Sequence, residues 1–298
     1  MTPPTFSGTS RVGQRVTAAI LGFVLAPLGL WLLAAGGTET YRMFLLQFKT
    51  FSPQALPYLL MILLGAMLLA GICYLASLSS LAPALAALWL LPSVVAMFLP
   101  ASQASMAQLF RALKLYTPAL DMLLTGRTGS LGLVFIFLAI AAAILRRRGF
   151  GTGFGWLAAI LGVLLFSGGL LLSDIGSWQG YVATMINGNL KAPSVLNTIT
   201  VLGGLVLIAL AFATAVRSAA GLIITGVLWL LVGGWYVLAS GIRKFPRPPH
   251  FGQTVDPALY TQAVTGLLFT LSLTLIASGA ALWTIRTRAR RRLAASPS

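Results

Sequence analysis

Val16-Thr17-Ala18-Ala19-Ile20-Leu21-Gly22-Phe23-Val24-Leu25-Ala26-Pro27-Leu28-Gly29-Leu30-Trp31-Leu32-Leu33 is a run of eighteen residues without a charge, and half of it is written again 140 residues later. Ala18 to Gly22 recur as Ala158 to Gly162, and nine of the eighteen positions from 16 to 33 match at that offset. Leu88-Trp89-Leu90-Leu91 recur as Leu228-Trp229-Leu230-Leu231, Pro53 falls on Pro193, and Thr125-Gly126 fall on Thr265-Gly266. Thr117-Pro118-Ala119-Leu120 meets Asp256-Pro257-Ala258-Leu259 one residue out of step. A fixed period of this kind describes how a chain is built. A stretch of about 20 apolar residues is also what a helix needs to cross a bilayer.

The composition agrees. Hydrophobic residues make up 58% of the 298 and charged residues only 8%, where a soluble domain carries roughly 25% charge. Apolar stretches run near 16–36, 57–75, 81–100, 130–145, 154–173, 199–216, 221–240 and 262–285, and none of them carries an Asp, Glu, Lys, Arg or His. In lipid a spanning segment must satisfy its own backbone hydrogen bonds, so stretches of this length predict helices rather than barrel strands. The fold expected is all-α and polytopic: eight transmembrane helices in two parallel tandem repeats, 1–150 and 151–298. Four spans per half bring both halves into the membrane in the same direction, related by an axis along its normal. Each odd span leads through a longer outer segment into an even one, giving four hairpins.

Orientation rests on basic residues near span ends. With the N-terminus cytoplasmic, the inner side holds eleven arginines, at 11, 15, 146–148, 217, 286, 288 and 290–292, and no acid. The outer side then holds nine basic residues and all four acids, Glu39, Asp121, Asp174 and Asp256. Both termini are therefore expected in the cytoplasm of a cell membrane. The first span resembles a signal peptide in having Arg11 and Arg15 before it, but its copy at 158–172 is internal, so its retention is expected. The preference for Arg over Lys and the abundance of Ala read as a bacterial chain from a GC-rich genome.

Four prolines stand near the ends of the outer segments, at Pro53, Pro118, Pro193 and Pro257. Proline suits a first helical turn, and Ser52, Thr117 or Asp256 before it can cap, so these read as helix starts. The stretch from Gly126 to Gly129 is expected to interrupt the helix before the fourth span. Tyr41, Phe44, Leu45 and Phe48 are spaced i, i+3, i+4, i+7, as are Met106, Leu109, Phe110 and Leu113, and Trp178, Tyr181, Val182 and Met185, which predicts amphipathic helices lying at the surface or capping the bundle. Pro27 and Gly29 align with Ser167 and Gly169, which can frame kinks around a cavity or close helix packing. Trp89 and Trp229 carry the same two readings.

The fourth outer segment, Gly241 to Phe251, departs from the others because Pro246, Pro248 and Pro249 forbid a regular helix. Arg243, Lys244, Arg247 and His250 there are candidates for receiving an anionic group or an acidic partner, or simply face head groups. Glu39, Asp121, Asp174 and Asp256 form a candidate outer acidic set, either converged for acid–base work or cation binding, or serving as helix caps and loop pairs. Arg286, Arg288, Arg290, Arg291 and Arg292 are candidates for anionic lipid on the cytoplasmic face, or only signal orientation.

With one His, one Cys and four acids, no metal set can be assembled and no catalytic or cofactor residue is assigned; Cys73 reads as a small buried apolar residue. Membrane lipids are the expected partners, with an envelope protein possible and nucleic acid not expected. The sequence favours a non-enzymatic scaffold or accessory subunit acting through its outer loops. A permease or lipid-handling protein is the alternative and requires a cavity between the repeats. An outer-face enzyme comes third and requires two of Asp121, Asp174, Asp256 and His250 within reach of one pocket.

Overall fold

The computed structural model describes residues 8–46, 53–98, 108, 112, 128–148, 155–181, 195–241, 246 and 255–295. Within them the regular elements are helices: α1 Gly8–Tyr41, α2 Leu56–Leu75, α3 Leu81–Phe98, α4 Gly129–Arg148, α5 Gly155–Tyr181, α6 Val195–Arg217, α7 Ala220–Gly241, α8 Val255–Val264 and α9 Leu267–Ala295. Seven of them, all but α3 and α8, are long and apolar enough to cross a membrane. That is the architecture of a multi-pass membrane protein. Helix α1 shows why. Ile20, Val24, Leu28 and Trp31 are exposed on one face while Ala26, Leu30 and Leu33 are buried on another. A helix apolar on both faces belongs in hydrocarbon.

The expected spans and the helices differ in four main respects, the last of which is the break between α8 and α9 described below. The stretch 81–100 forms a shorter apolar helix, described with its side chains over Leu81–Ala96 and carrying Pro92 inside. The first and fifth helices overrun their apolar stretches: α1 continues to Tyr41 and passes into a π-turn at Arg42–Leu46, and α5 continues to Tyr181. Glu39 and Asp174, which lie just beyond the uncharged stretches 16–36 and 154–173, thus stand within helices counted among the seven, Val12–Phe44 and Gly155–Ser177. The starts of the first and third expected surface helices, at Tyr41 and Trp178, are likewise continuations of spanning helices; Met106, Leu109, Phe110 and Leu113 of the second pattern lie outside the described residues. The third difference is at Pro53. It opens a short 3-10 turn, Pro53–Ala55, and α2 begins after it with Ala55 as N-cap and Pro57 in its first turn.

Helix α1 packs on α2 and α3, α5 on α6 and α7, α3 on α4, and α7 on α9. Helices α4 and α9 touch each other, α9 also lies along α2, and α4 along α6. Phe135 and Leu138 of α4 and Leu268, Leu275 and Leu282 of α9 are fully buried. The hydroxyls that α9 carries into this interior are satisfied within the helix. Thr270 donates to Gly266 O at 2.9 Å, Ser272 to Leu268 O at 2.7 Å, Thr274 to Leu271 O at 2.8 Å and Ser278 to Thr274 O at 2.6 Å. They give the core no outward-looking polar surface. Cys73 is buried in the same core.

Small residues bring the paired helices together. A Cβ on Gly65 would lie 2.7 Å from Gly29 O, and one on Gly169 would lie 2.8 Å from Gly204 O, so backbone meets backbone as small residues allow in membranes. Pro27, two residues before Gly29, denies α1 one bond, since proline has no N–H to give the carbonyl four residues back. That carbonyl is Phe23 O, and the Trp89 indole of α3 donates to it at 3.0 Å. In α5 the aligned residue is Ser167, and Trp229 donates to its Oγ at 3.2 Å.

Candidate functional site

The most irregular part of the described structure is the α8–α9 junction. Asp256 and Pro257 sit in the first turn of α8, a carboxylate at the positive end of the helix dipole and a proline where no N–H is needed. After ten residues the helix stops. Thr265 Oγ1 folds back to Thr261 O at 2.8 Å, Gly266 N–H bonds Ala263 O at 3.1 Å, and Gly266 takes φ +75°, a left-handed conformation that glycine adopts without penalty. Gly266 O then accepts the Thr270 N–H and starts α9. The span expected from Gln262 to Ile285 is therefore a broken helix whose long part starts at Leu267. The break stands at the glycine aligned with Gly126, the stretch expected to interrupt the first half; Gly126 itself lies outside the described residues.

Two polar residues of α8, Asp256 and Gln262, are met by side chains of neighbouring helices. Asp174 of α5 is 7% exposed and bonds the Gln262 side chain. Its Oδ2 and the Oγ of neighbouring Ser173 are buried with no hydrogen-bond partner among the described residues. Tyr236 of α7 donates to Asp256 Oδ1 at 3.3 Å. Glu39 pairs with Arg42 at 3.5 Å, one turn along its own helix. The three described acids of the outer set thus engage three different partners, and Asp121 lies outside the described residues. Among the described residues no three His, Cys, Asp or Glu side chains come together as metal ligands do.

The junction also borders a groove. Thr40 and Phe44 of the first helix and its π-turn, Leu59, Ile62 and Leu63 of α2, Gly233, Gly234 and Val237 of α7, and Ala263, Gly266 and Phe269 of α8 and α9 enclose a cavity of about 490 Å³. Its lining is apolar. The Thr40 hydroxyl donates to Gly36 O at 2.8 Å and so offers no free donor. Leu59, Leu63 and Leu238 at the rim are exposed, so the groove opens among side chains that face outward. The volume falls within the range of small-molecule sites, roughly 300–1,000 Å³.

Arg243, Lys244, Arg247 and His250 lie outside the described residues; within their segment, Pro246 O accepts the Trp235 indole N–H at 2.9 Å. The arginines at the end of α9 divide. Arg286 donates to Val216 O, Arg288 donates to Ser77 O at 3.4 Å, and Arg290 and Arg291 are exposed; the side chain of Arg292 lies outside the described set. Sequence reasoning missed the groove and the Asp174–Gln262 pair. A signal for the pair existed in a lone carboxylate directly following one apolar stretch and a lone glutamine opening another. No protein-family model, curated protein or solved structure matches this chain.

Proposed function

We propose that this chain is a lipid-handling protein of a bacterial cell membrane, holding a hydrocarbon chain in the groove between two tandem halves, 1–150 and 151–298. Each half contributes four spans, α3 serving as the eighth, with both termini cytoplasmic. The observation that carries the reading is the groove. It lies where α1 and α2 of the first half meet α7, α8 and α9 of the second, its walls are apolar, and it opens toward the lipid-facing side. The tandem arrangement is supported by contacts repeated at the sequence offset. Arg146 donates to Ala76 O and Arg286 to Val216 O, each pair shifted by 140. The last helix of each half also packs on the second helix of the other, α4 on α6 and α9 on α2.

The scaffold reading depends on Arg243, Lys244 and Arg247, for which the described residues supply no geometry; the groove favours lipid handling over it. Coupled transport is a second reading, favoured by Asp174, because an ionisable residue held inside a membrane helix is a functional candidate by default. One experiment tests both. A Cβ on Gly234 meets nothing within 4 Å, so Gly234→Trp fills the groove without moving the backbone. Native mass spectrometry of the full-length protein after detergent exchange is expected to show retained phospholipid in the unaltered chain and loss of most of it in Gly234→Trp. Equal retention by both would sink the lipid reading. Asp174→Asn is expected to leave retention unchanged; a transported ion or proton would instead show as abolished flux in reconstituted vesicles.

A further inference from the structure

At the opposite end of the bundle, four elements that are far apart in sequence turn their ends toward one another. The start of α1 brings Gln14 and Arg15, the turn after α2 brings Ser77 and Leu78, α4 ends in Arg146, and α9 brings Ile285, Arg288 and Ala289, around a cleft of about 220 Å³. At about 30 Å³ per water, that is space on the order of seven waters. Arg146 donates to Ala76 O and Arg288 to Ser77 O, carbonyls at the C-terminal end of α2 that its own helix leaves without partners. Each guanidinium has five N–H donors, so most remain to face the cleft.

Arg15 and Arg288 are exposed and Arg146 is half-buried, so solvent screens part of the repulsion among these three cations, and an anion in the cleft would relieve the rest. The described acids are elsewhere: Glu39 stands 24 residues beyond Arg15 on the same helix, about 36 Å away at 1.5 Å per residue, while Asp174 faces α8 and Asp256 lies in its first turn. The one ion pair among the described residues, Arg42 with Glu39, also lies at that far end. Nor is the cluster a by-product of the repeat. At the offset of 140, Arg15 corresponds to Gly155 and Ser77 to Arg217, so the second half keeps the arginine-to-carbonyl bond of Arg286 but lacks the residues that close the cleft.

The geometry points to a phosphate-binding site held by Arg15, Arg146 and Arg288, with Gln14 and Ser77 as further hydrogen-bonding groups. Arginine forks match phosphate oxygens in pairs, and a basic pocket between membrane helices is suited to a lipid head group. The phosphate belongs either to such a head group or to a free phosphate anion. The site stands at the other end of the molecule from the apolar groove, so its failure and the groove's failure are separate results.

The test uses the full-length protein in neutral detergent, with its unfolding temperature followed against inorganic phosphate, with chloride at matched ionic strength as control. A parallel series uses phosphatidylglycerol and a glycolipid without phosphate. Saturable stabilisation is expected from phosphatidylglycerol if the source is a lipid, and from inorganic phosphate if it is a free anion. Arg15→Gln and Arg288→Gln are each expected to weaken the apparent affinity by about tenfold, the loss of one charge-assisted contact. Arg217→Gln, an exposed arginine outside the cleft, is expected to leave it unchanged. Arg146 is left intact because it is half-buried while holding Ala76 O, whereas Arg288 is exposed and its bond to Ser77 O, at 3.4 Å, is long. The inference is overturned if neither phosphate probe stabilises the protein, or if Arg217→Gln weakens the response as much as Arg15→Gln does.

Discussion

Trp89 gives α1 the hydrogen bond that Pro27 takes from it. The Phe23 carbonyl has no intrahelical donor, and in hydrocarbon there is no water to replace one. Trp89→Phe keeps the ring but removes the N–H, and is expected to cost about 1 kcal/mol, read as a lower unfolding temperature in detergent. Pro27→Ala in that background restores the backbone donor and is expected to recover most of the loss. A double variant no more stable than Trp89→Phe alone would show that the indole acts only by packing. Both residues stand out in the sequence, one as a kink and the other as a repeated aromatic. Their pairing was not legible, because it depends on which faces α1 and α3 turn toward each other. Asp174 teaches the same at one residue's distance. It reads as the first residue of a loop because the apolar run ends at Ser173, yet backbone hydrogen bonding carries α5 onward to Tyr181 and packing against α8 buries its carboxylate.

The element that most shapes the site is the pair α8 and α9. A continuous helix through Gly266 would move α8 off the faces of α5 and α7 that it now covers. Gly266→Ala is expected to destabilise the protein by about 1–2 kcal/mol for a left-handed non-glycine residue, with a further cost because its Cβ would run into the Ile62 side chain. Circular dichroism during thermal unfolding measures the first effect. Ile62→Ala in the same background is expected to relieve the contact and leave the backbone cost. A Gly266→Ala protein with an unchanged unfolding temperature would mean that the break is not stabilised by its conformation. Proline and glycine positions announced punctuation here, but not its exact site: Pro53 begins a turn rather than a helix because Pro57 has already claimed the first helical turn.

For the whole molecule, the decisive contacts cross between the proposed halves. Helix α9 lies on α2, α4 lies on α6, and the two meet each other. Such an arrangement leaves the faces of α2, α4, α6 and α9 that meet across the halves uncovered when one half is made alone. Segments 1–150 and 151–298 expressed separately are therefore expected to be degraded or aggregated, and co-expressed to assemble and co-purify through an affinity tag on either one. A monodisperse, fully helical single half would count against the interlocked arrangement. Both ligand sites argued above depend on these crossings, since the groove needs helices from each half and the arginine cleft needs α1, α4 and α9 together.

The class of the molecule follows from the sequence alone, because it depends on local quantities. A run of about 20 uncharged apolar residues can cross lipid only as a helix that bonds its own backbone, and the density of such runs from Val16 to Ile285 leaves no soluble alternative. The offset of 140 is also readable by inspection. The tertiary structure alone decided what those helices make between them: a carboxylate sealed against Gln262, an indole serving a proline's orphaned carbonyl, an apolar groove beside a broken helix, and three arginines around one cleft. These are matters of which faces meet, and they are set by close packing among residues tens to hundreds of positions apart, such as Arg288 and Ser77. Apolar pattern cannot choose those faces when every side of a helix is apolar.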